Sequence, residues 1–76
     1  MYTSNNLAFR IKHVAKSKGI RTGVMLKECG MNKDTLSTLQ HRGSWILADR
    51  LALLADYLDV SVDYLLGRTD KTEVNR

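Results

Sequence analysis

Two histidines and one cysteine are the candidate ligands in this sequence for a zinc-type metal site. His13, Cys29 and His41 lie far apart along the chain, whereas zinc sites draw on close pairs of ligands and need a fourth donor. A lone cysteine is also common as a small buried hydrophobic residue. We therefore expect neither a metal site nor a cofactor.

Four of the eight acidic residues, all aspartates in the second half of the chain, are candidates for an active site. Asp49, Asp56, Asp59 and Asp63 are scattered along a segment with helical periodicity, where such residues are usually solvated or cap helices. Acid–base catalysis needs carboxylates that converge in a cleft, and a chain of 76 residues has little room for one. We therefore do not expect an enzyme.

A third group of polar residues surrounds two leucines in the segment from Gly30 to Gly43, GMNKDTLSTLQHRG. Leu36 and Leu39 have helical spacing and leave the opposite side to lysine, aspartate, serine, threonine and histidine. Side chains of these types can hydrogen-bond with base edges in the major groove of DNA. Any exposed helix needs polar residues, however, so the segment alone leaves both interpretations open.

The charge of the chain is divided between its two halves. Residues 1–44 carry a net charge of +6 and residues 45–76 carry −2, which together give the formal net charge of +4. A basic first half suits a module that binds a polyanion, but an unevenly charged, solvated surface has the same composition.

The sequence has no apolar stretch that approaches the roughly 20 residues of a membrane span, and its N-terminal residues lack a signal-peptide pattern. We expect a cytoplasmic protein, in keeping with the single cysteine.

Apolar residues recur at helical spacing along the chain and predict five helices. The fourth helix carries the most apolar stripe, which consists of Leu47, Ala48, Leu51, Ala52, Leu54, Ala55 and Leu58. N-caps are expected at Ser4, Asn5 or Asn6 for the first helix, Thr22 for the second, Asn32 for the third and Ser61 for the fifth. The helix ends are expected at Gly19, Gly30, Gly43 and Gly67.

Together these helices predict a compact all-α fold. One domain is expected over residues 1–67, followed by a loose, polar tail over residues 68–76. We expect the leucines of the fourth helix at the centre of the core. Trp45 is expected to pack the start of that helix onto the core, with a contact to DNA or to a partner as the alternative.

The second and third helices are each about two turns long and are separated by Gly30, Met31 and Asn32. A short, glycine-containing turn between two short helices is the signature of a helix-turn-helix. Gly30 is expected to have a positive φ, and Met31 is expected to point into the core. The outward side chains would be those of Lys33, Asp34, Ser37, Thr38 and His41.

The run from Leu7 to Gly67 resembles the Cro/C1-type helix-turn-helix family, also called lambda-repressor-like or Xre. The resemblance rests on RIKHVAKSKGI, GMNKDTLSTLQHRG and LALLADYLDVSVDYLLGR, of which the last is the most specific. It covers about four-fifths of the chain and implies a compact five-helix domain. One departure is RTGVML at the start of the second helix, where the family commonly has a threonine–glutamine pair.

The resemblance implies a transcriptional regulator that binds double-stranded DNA sequence-specifically, and we expect a repressor that occludes its operator. The third helix would enter the major groove, where Lys33, Asp34, Ser37 and Thr38 would read bases. The residues expected to bind DNA phosphates are Arg10, Arg21, Thr22, Lys27, His41, Arg42 and Ser44.

The family usually binds DNA as a two-fold homodimer. The candidate dimer surface consists of Tyr57, Val62, Tyr64, Leu65 and Leu66, although these residues could equally complete the core of a monomer.

Two functions other than a DNA-binding repressor stay open. One is an antitoxin that binds a toxin protein and its own promoter, and the other is a protein-interaction module that has lost DNA binding.

Overall fold

The structure is a computed structural model that describes residues 3–43 and 45–70. Within these ranges it contains five helices and no strand, which confirms the expected all-α fold. The helices are α1 (Ser4–Ser17), α2 (Thr22–Glu28), α3 (Thr35–His41), α4 (Ala48–Leu58) and α5 (Val62–Leu66). None of the described helices is long and apolar enough to cross a membrane.

Helix α1 is capped by Thr3, whose side-chain oxygen accepts a hydrogen bond from the Asn6 backbone N–H at 3.0 Å. The expectation that Ser4, Asn5 or Asn6 would cap this helix was wrong, because all three residues lie inside it. Ser4 is buried instead. The helix ends at Ser17, just before Gly19 with its positive φ of 70°.

Helix α2 begins at Thr22, so the expectation that Thr22 caps it was also wrong. The N-cap position is occupied by Arg21 with an extended backbone, and no described side chain caps this helix. At the other end, Gly30 has the expected positive φ, at 72°. Met31 is buried as expected, and its N–H donates to the Leu26 carbonyl at 2.8 Å. The chain therefore turns sharply after α2 while it places Met31 in the core.

Helix α3 begins at Thr35, later than the sequence predicted. Asn32 explains the delay, because its side-chain oxygen accepts from the Asp34 N–H at 3.0 Å. The Asn32 carbonyl also accepts from the Thr35 hydroxyl at 2.7 Å and from the Thr35 N–H at 3.1 Å. Lys33 and Asp34 consequently form a turn before α3 rather than its first residues, and the connection from α2 is longer than the three residues expected.

Helix α4 buries Leu51, Leu54, Ala55 and Leu58, as its apolar stripe predicted. Leu47 is wrongly assigned to that stripe, since it is the extended N-cap residue and 64% exposed. The alanines Ala48 and Ala52 are exposed as well.

Helix α5 has the predicted ends. The Ser61 hydroxyl accepts from the Tyr64 N–H at 3.0 Å, which caps the helix as expected. Gly67 follows it with a φ of 83°. Of the predicted tail, Arg68, Thr69 and Asp70 are described, and residues 71–76 lie outside the described part.

The core is shared between α1 and α4 rather than centred on α4 as expected. Helix α1 packs against α2, α3 and α5, whereas α4 packs against α2 and α5. Buried side chains on α1 are Leu7, Ala8, Ile11, Val14 and Ala15. Trp45 does not pack the start of α4 onto this core, because it is 51% exposed. Ile46, the next residue, packs there instead.

Leu54 provides a test of this core. Its side chain is fully buried, so Leu54→Ala should lower the free energy of unfolding by ~2–5 kcal/mol through lost burial and the cavity left behind. Leu47→Ala removes the same atoms from an exposed site and should change it by less than ~0.5 kcal/mol. Urea unfolding measures both. Equal losses in the two variants would contradict this placement of the core.

Two glycines test the backbone assignments. A Cβ at Gly23 or Gly30 would meet nothing within 4 Å in the described part of the chain, so only backbone conformation distinguishes them. Gly23 is helical, and Gly23→Ala should raise the free energy of unfolding by up to ~1 kcal/mol. Gly30 has a φ of 72°, so Gly30→Ala should lower it by ~1 kcal/mol or more. Thermal melts of both variants would show shifts in opposite directions, and shifts of one sign would contradict the assignment.

Candidate functional site

The outward side of α3 and of the turn before it carries two rows of polar residues. Within α3 and its two cap residues, side chains four positions apart lie one above the other, and Lys33 continues this spacing into the turn before the helix. We call the two rows together the α3 face, which consists of Lys33, Ser37 and His41 in one row and Asp34, Thr38 and Arg42 in the other. Thr38 is half-buried and the other five are exposed.

The opposite side of α3 anchors the helix on α1. Leu36 and Leu39 are buried in the core, and α1 is the helix that α3 contacts most extensively. Beside this contact, the Lys12 ammonium donates to the side-chain oxygen of Gln40. The α3 face is therefore held on a fixed support. Sequence reasoning missed the Lys12–Gln40 bond, because helical periodicity does not reveal which side chains of two distant helices meet.

The α3 face combines hydrogen-bond donors and acceptors of several kinds. Lys33 offers only donors and the Asp34 carboxylate only acceptors, whereas the hydroxyls of Ser37 and Thr38 offer both. Asp34 uses its backbone N–H in the turn, as the donor to Asn32. The residue is exposed, so its carboxylate is accessible from solvent. A surface of this composition can recognise a partner by its pattern of hydrogen-bonding groups.

The predicted phosphate-binding residues on α2 and at the end of α3 lie at the surface. Arg21, Lys27 and Arg42 are exposed, and Thr22 is half-buried in the first turn of α2. Arg21 directly precedes α2 and Arg42 directly follows α3. These three cations are therefore accessible from solvent. Ser44, also predicted to bind phosphate, lies outside the described residues.

Arg10 lies apart from the other predicted phosphate-binding residues, at the junction of α1 and α5. Its Nε donates to the Tyr64 carbonyl at 2.8 Å, and its guanidinium carbon lies 4.9 Å from the centre of the Tyr64 ring. A Cβ on Gly67 would come within 3.6 Å of the same Nε. Arg10 is thus engaged in joining α5 to α1, a role that its sequence context did not reveal.

A groove of about 250 Å³ runs between α3 and the start of α4. Asp34 and Thr38 line it on the α3 side, and Trp45 and Arg50 line it on the other. The groove makes Trp45 and Arg50 neighbours of the α3 face, and sequence reasoning missed Arg50 altogether. Arg50 lies three residues after Leu47, a helical spacing that predicts one flank for both, but Leu47 was expected in the core.

The candidate dimer surface at the end of the chain is wrong in one respect. Leu65 is completely buried, so it cannot contribute to a surface. Tyr57, Val62, Tyr64 and Leu66 are partly buried and pack against the core. Tyr57 also donates its hydroxyl to the Glu28 carboxylate, which raises the pKa of Tyr57. The large apolar side chains exposed in the described chain are those of Phe9, Val24, Trp45, Leu47 and Leu53.

The three candidate metal ligands are not brought together. His13 stacks on Phe9, with ring centroids 6.2 Å apart, and His41 belongs to the α3 face. Cys29 is half-buried, and burial, followed by the nearby Glu28 charge, raises the pKa of its thiol. Among residues 3–43 and 45–70, no group of three or more His, Cys, Asp and Glu side chains could hold a metal ion.

Comparisons with known proteins identify neither a family nor a fold for this chain. The chain matches no protein-family model, no curated protein and no solved structure.

Proposed function

We propose that this chain is a sequence-specific DNA-binding regulator whose α3 face reads bases in the major groove. The observation that carries the proposal is the α3 face itself, which is polar and exposed on a helix fixed by Leu36 and Leu39. A recognition helix needs this combination, because base readout requires free hydrogen-bonding groups at defined positions. In this proposal α2 and α3 act as a helix-turn-helix within a lambda-repressor-like domain.

The roles within the interface follow from chemistry and position. Lys33, Asp34, Ser37 and Thr38 read bases, while cations at the ends of α2 and α3 bind phosphates and fix the orientation. Lys33 and Asp34 lie in the turn before α3, next to the N-terminal end with which a recognition helix meets base edges. Arg10 is left out of the phosphate set, because its guanidinium is engaged with Tyr64.

Repression is the form of regulation that needs nothing beyond DNA binding. Occupying an operator blocks transcription without an additional effector domain, so we propose occlusion as the mechanism. This function also implies that the protein acts in the cytoplasm, where bacterial or phage operators are found.

Salt dependence tests the binding of phosphates. The affinity for any duplex should fall with salt, with a slope of log K against log salt of about −0.9 for each phosphate neutralised. Arg42→Ala should reduce the size of this slope by about one and weaken binding to all sequences alike. Arg68→Ala is the matched control, because Arg68 is exposed beyond α5, 3.8 Å from Asp63, and should leave the slope unchanged. A parent slope near zero would refute DNA binding.

Base readout is tested by Lys33 and Asp34, using an operator selected from a random DNA pool. Lys33→Ala should cost ~1–3 kcal/mol on the operator and relax the preference at one base pair. Asp34→Ala removes a charge that repels phosphates, so it should strengthen binding to a scrambled duplex. On the operator it should weaken binding, because the carboxylate no longer accepts a hydrogen bond from a base. Titrations at one fixed salt concentration separate these effects. Equal gains for Asp34→Ala on both duplexes would show that Asp34 reads no base.

A further inference from the structure

The groove between α3 and the start of α4 combines apolar and charged side chains. We call it the α3–α4 groove, and its lining includes Asp34, Thr38, Trp45, Leu47 and Arg50. Its volume of about 250 Å³ lies just below the ~300 Å³ at which sites for drug-sized ligands begin. The groove therefore has the size of a site for one small metabolite.

The apolar part of the α3–α4 groove is open to solvent. Trp45 is 51% exposed and Leu47 is 64% exposed, and both line the groove above the buried Leu39. Exposed apolar side chains that line a concave surface are typical of ligand-binding grooves. An apolar group of a ligand that enters this groove leaves water and packs against the Trp45 ring and Leu47, which favours binding.

Two side chains of opposite charge line the α3–α4 groove, Asp34 on the α3 side and Arg50 on the α4 side. Among residues 3–43 and 45–70, neither the Asp34 carboxylate nor the Arg50 guanidinium has an ion-pair or hydrogen-bond partner. Only their backbone N–H groups are engaged, with the side chains of Asn32 and Asp49. A ligand that covers both groups has to pair with both, because a charge removed from water without a partner is costly.

We propose that the α3–α4 groove binds the zwitterion of an α-amino acid with an apolar side chain. The ammonium group of the ligand donates to the Asp34 carboxylate, and the Arg50 guanidinium donates to the carboxylate of the ligand. The apolar side chain packs against Trp45 and Leu47. A simple amine or carboxylic acid leaves one of the two protein charges without a partner, and a DNA strand in the groove is repelled by Asp34.

This inference rests on the proposed function for its biological use, since it names a regulator of DNA binding. Asp34 and Thr38 belong both to the α3–α4 groove and to the α3 face, so a bound amino acid covers two of the side chains that read bases. The amino acid and the operator then compete for the same protein. At a ligand concentration ten times its dissociation constant, operator binding weakens about tenfold. The amino acid thus acts as an inducer.

Tryptophan fluorescence tests the site directly, because Trp45 is the only tryptophan of the chain and lines the groove. L-Phenylalanine is the probe, since it carries both charges and an aromatic ring. Its titration should shift the Trp45 emission and saturate with a dissociation constant of about 1 mM, the scale for a ligand of about a dozen heavy atoms. L-Alanine lacks the ring, phenethylamine lacks the carboxylate and 3-phenylpropanoate lacks the ammonium group. Each should bind about tenfold or more weakly.

Two variants assign each charge of the ligand to its partner. Arg50→Gln should bind L-phenylalanine about tenfold or more weakly and no longer prefer it to phenethylamine, because the ammonium contact is the one that remains. Asp34→Asn should likewise lose the preference over 3-phenylpropanoate. Both residues are exposed, and circular dichroism checks that both variants fold. Arg68→Gln and Asp56→Asn make the same changes at exposed residues outside the groove and should bind like the parent.

The outcomes separate this inference from the proposed function. No saturable change in Trp45 emission at about 10 mM L-phenylalanine, ten times the expected dissociation constant, would overturn the amino-acid site, as would equal binding of the probe and its analogues. If the same protein still binds duplex DNA with a steep salt dependence, the proposed function survives that result. Conversely, charge-dependent binding of the amino acid without salt-sensitive DNA binding would support the site and refute the DNA-binding function. Amino-acid binding that leaves operator affinity unchanged would overturn the inducer role.

Discussion

The packing of Leu36 and Leu39 against α1 is the constraint on which the proposed interface depends. A helix of seven residues, the length of α3, does not form by itself in water, because its few hydrogen bonds do not offset the entropy of nucleation. Burial of the two leucines in the core supplies the missing stabilisation. The polar side of α3 can then be chosen for binding alone, since the leucines already hold the helix in place.

The turn before α3 adds a second, local constraint. Asn32 binds the Asp34 N–H through its side chain and the Thr35 hydroxyl through its carbonyl, so it fixes the backbone on which Lys33 and Asp34 stand. Gly30 and Met31 position this turn from the other side, one through its positive φ and the other through its burial. The geometry of the first two residues of the α3 face is thus set by their neighbours rather than by helix formation.

Local sequence patterns predicted the five described helices, the inward leucines of α3 and α4 and the cap at Ser61, because these features depend on residues close together in sequence. They failed at helix starts, where several neighbouring polar residues are all suitable N-caps. Thr3 and not Ser4 caps α1, and α3 begins after Asp34 and not after Asn32. They also failed for contacts between distant segments. The bond from Arg10 to Tyr64 and the complete burial of Leu65 depend on how α1 and α5 pack, and no local pattern reveals that packing.

The carboxylate of Asp34 is what most separates base recognition from simple attraction to a polyanion. The turn before α3 uses the backbone N–H of Asp34, and an alanine would supply the same donor. On a surface flanked by Lys33, Arg42 and the cations of α2, a carboxylate weakens any binding that depends on charge alone. A selective interface gains from this repulsion, because wrong sequences lose phosphate attraction while the right base compensates by donating a hydrogen bond. Asp34 therefore fits a surface built to discriminate between sequences better than one built for general affinity to DNA.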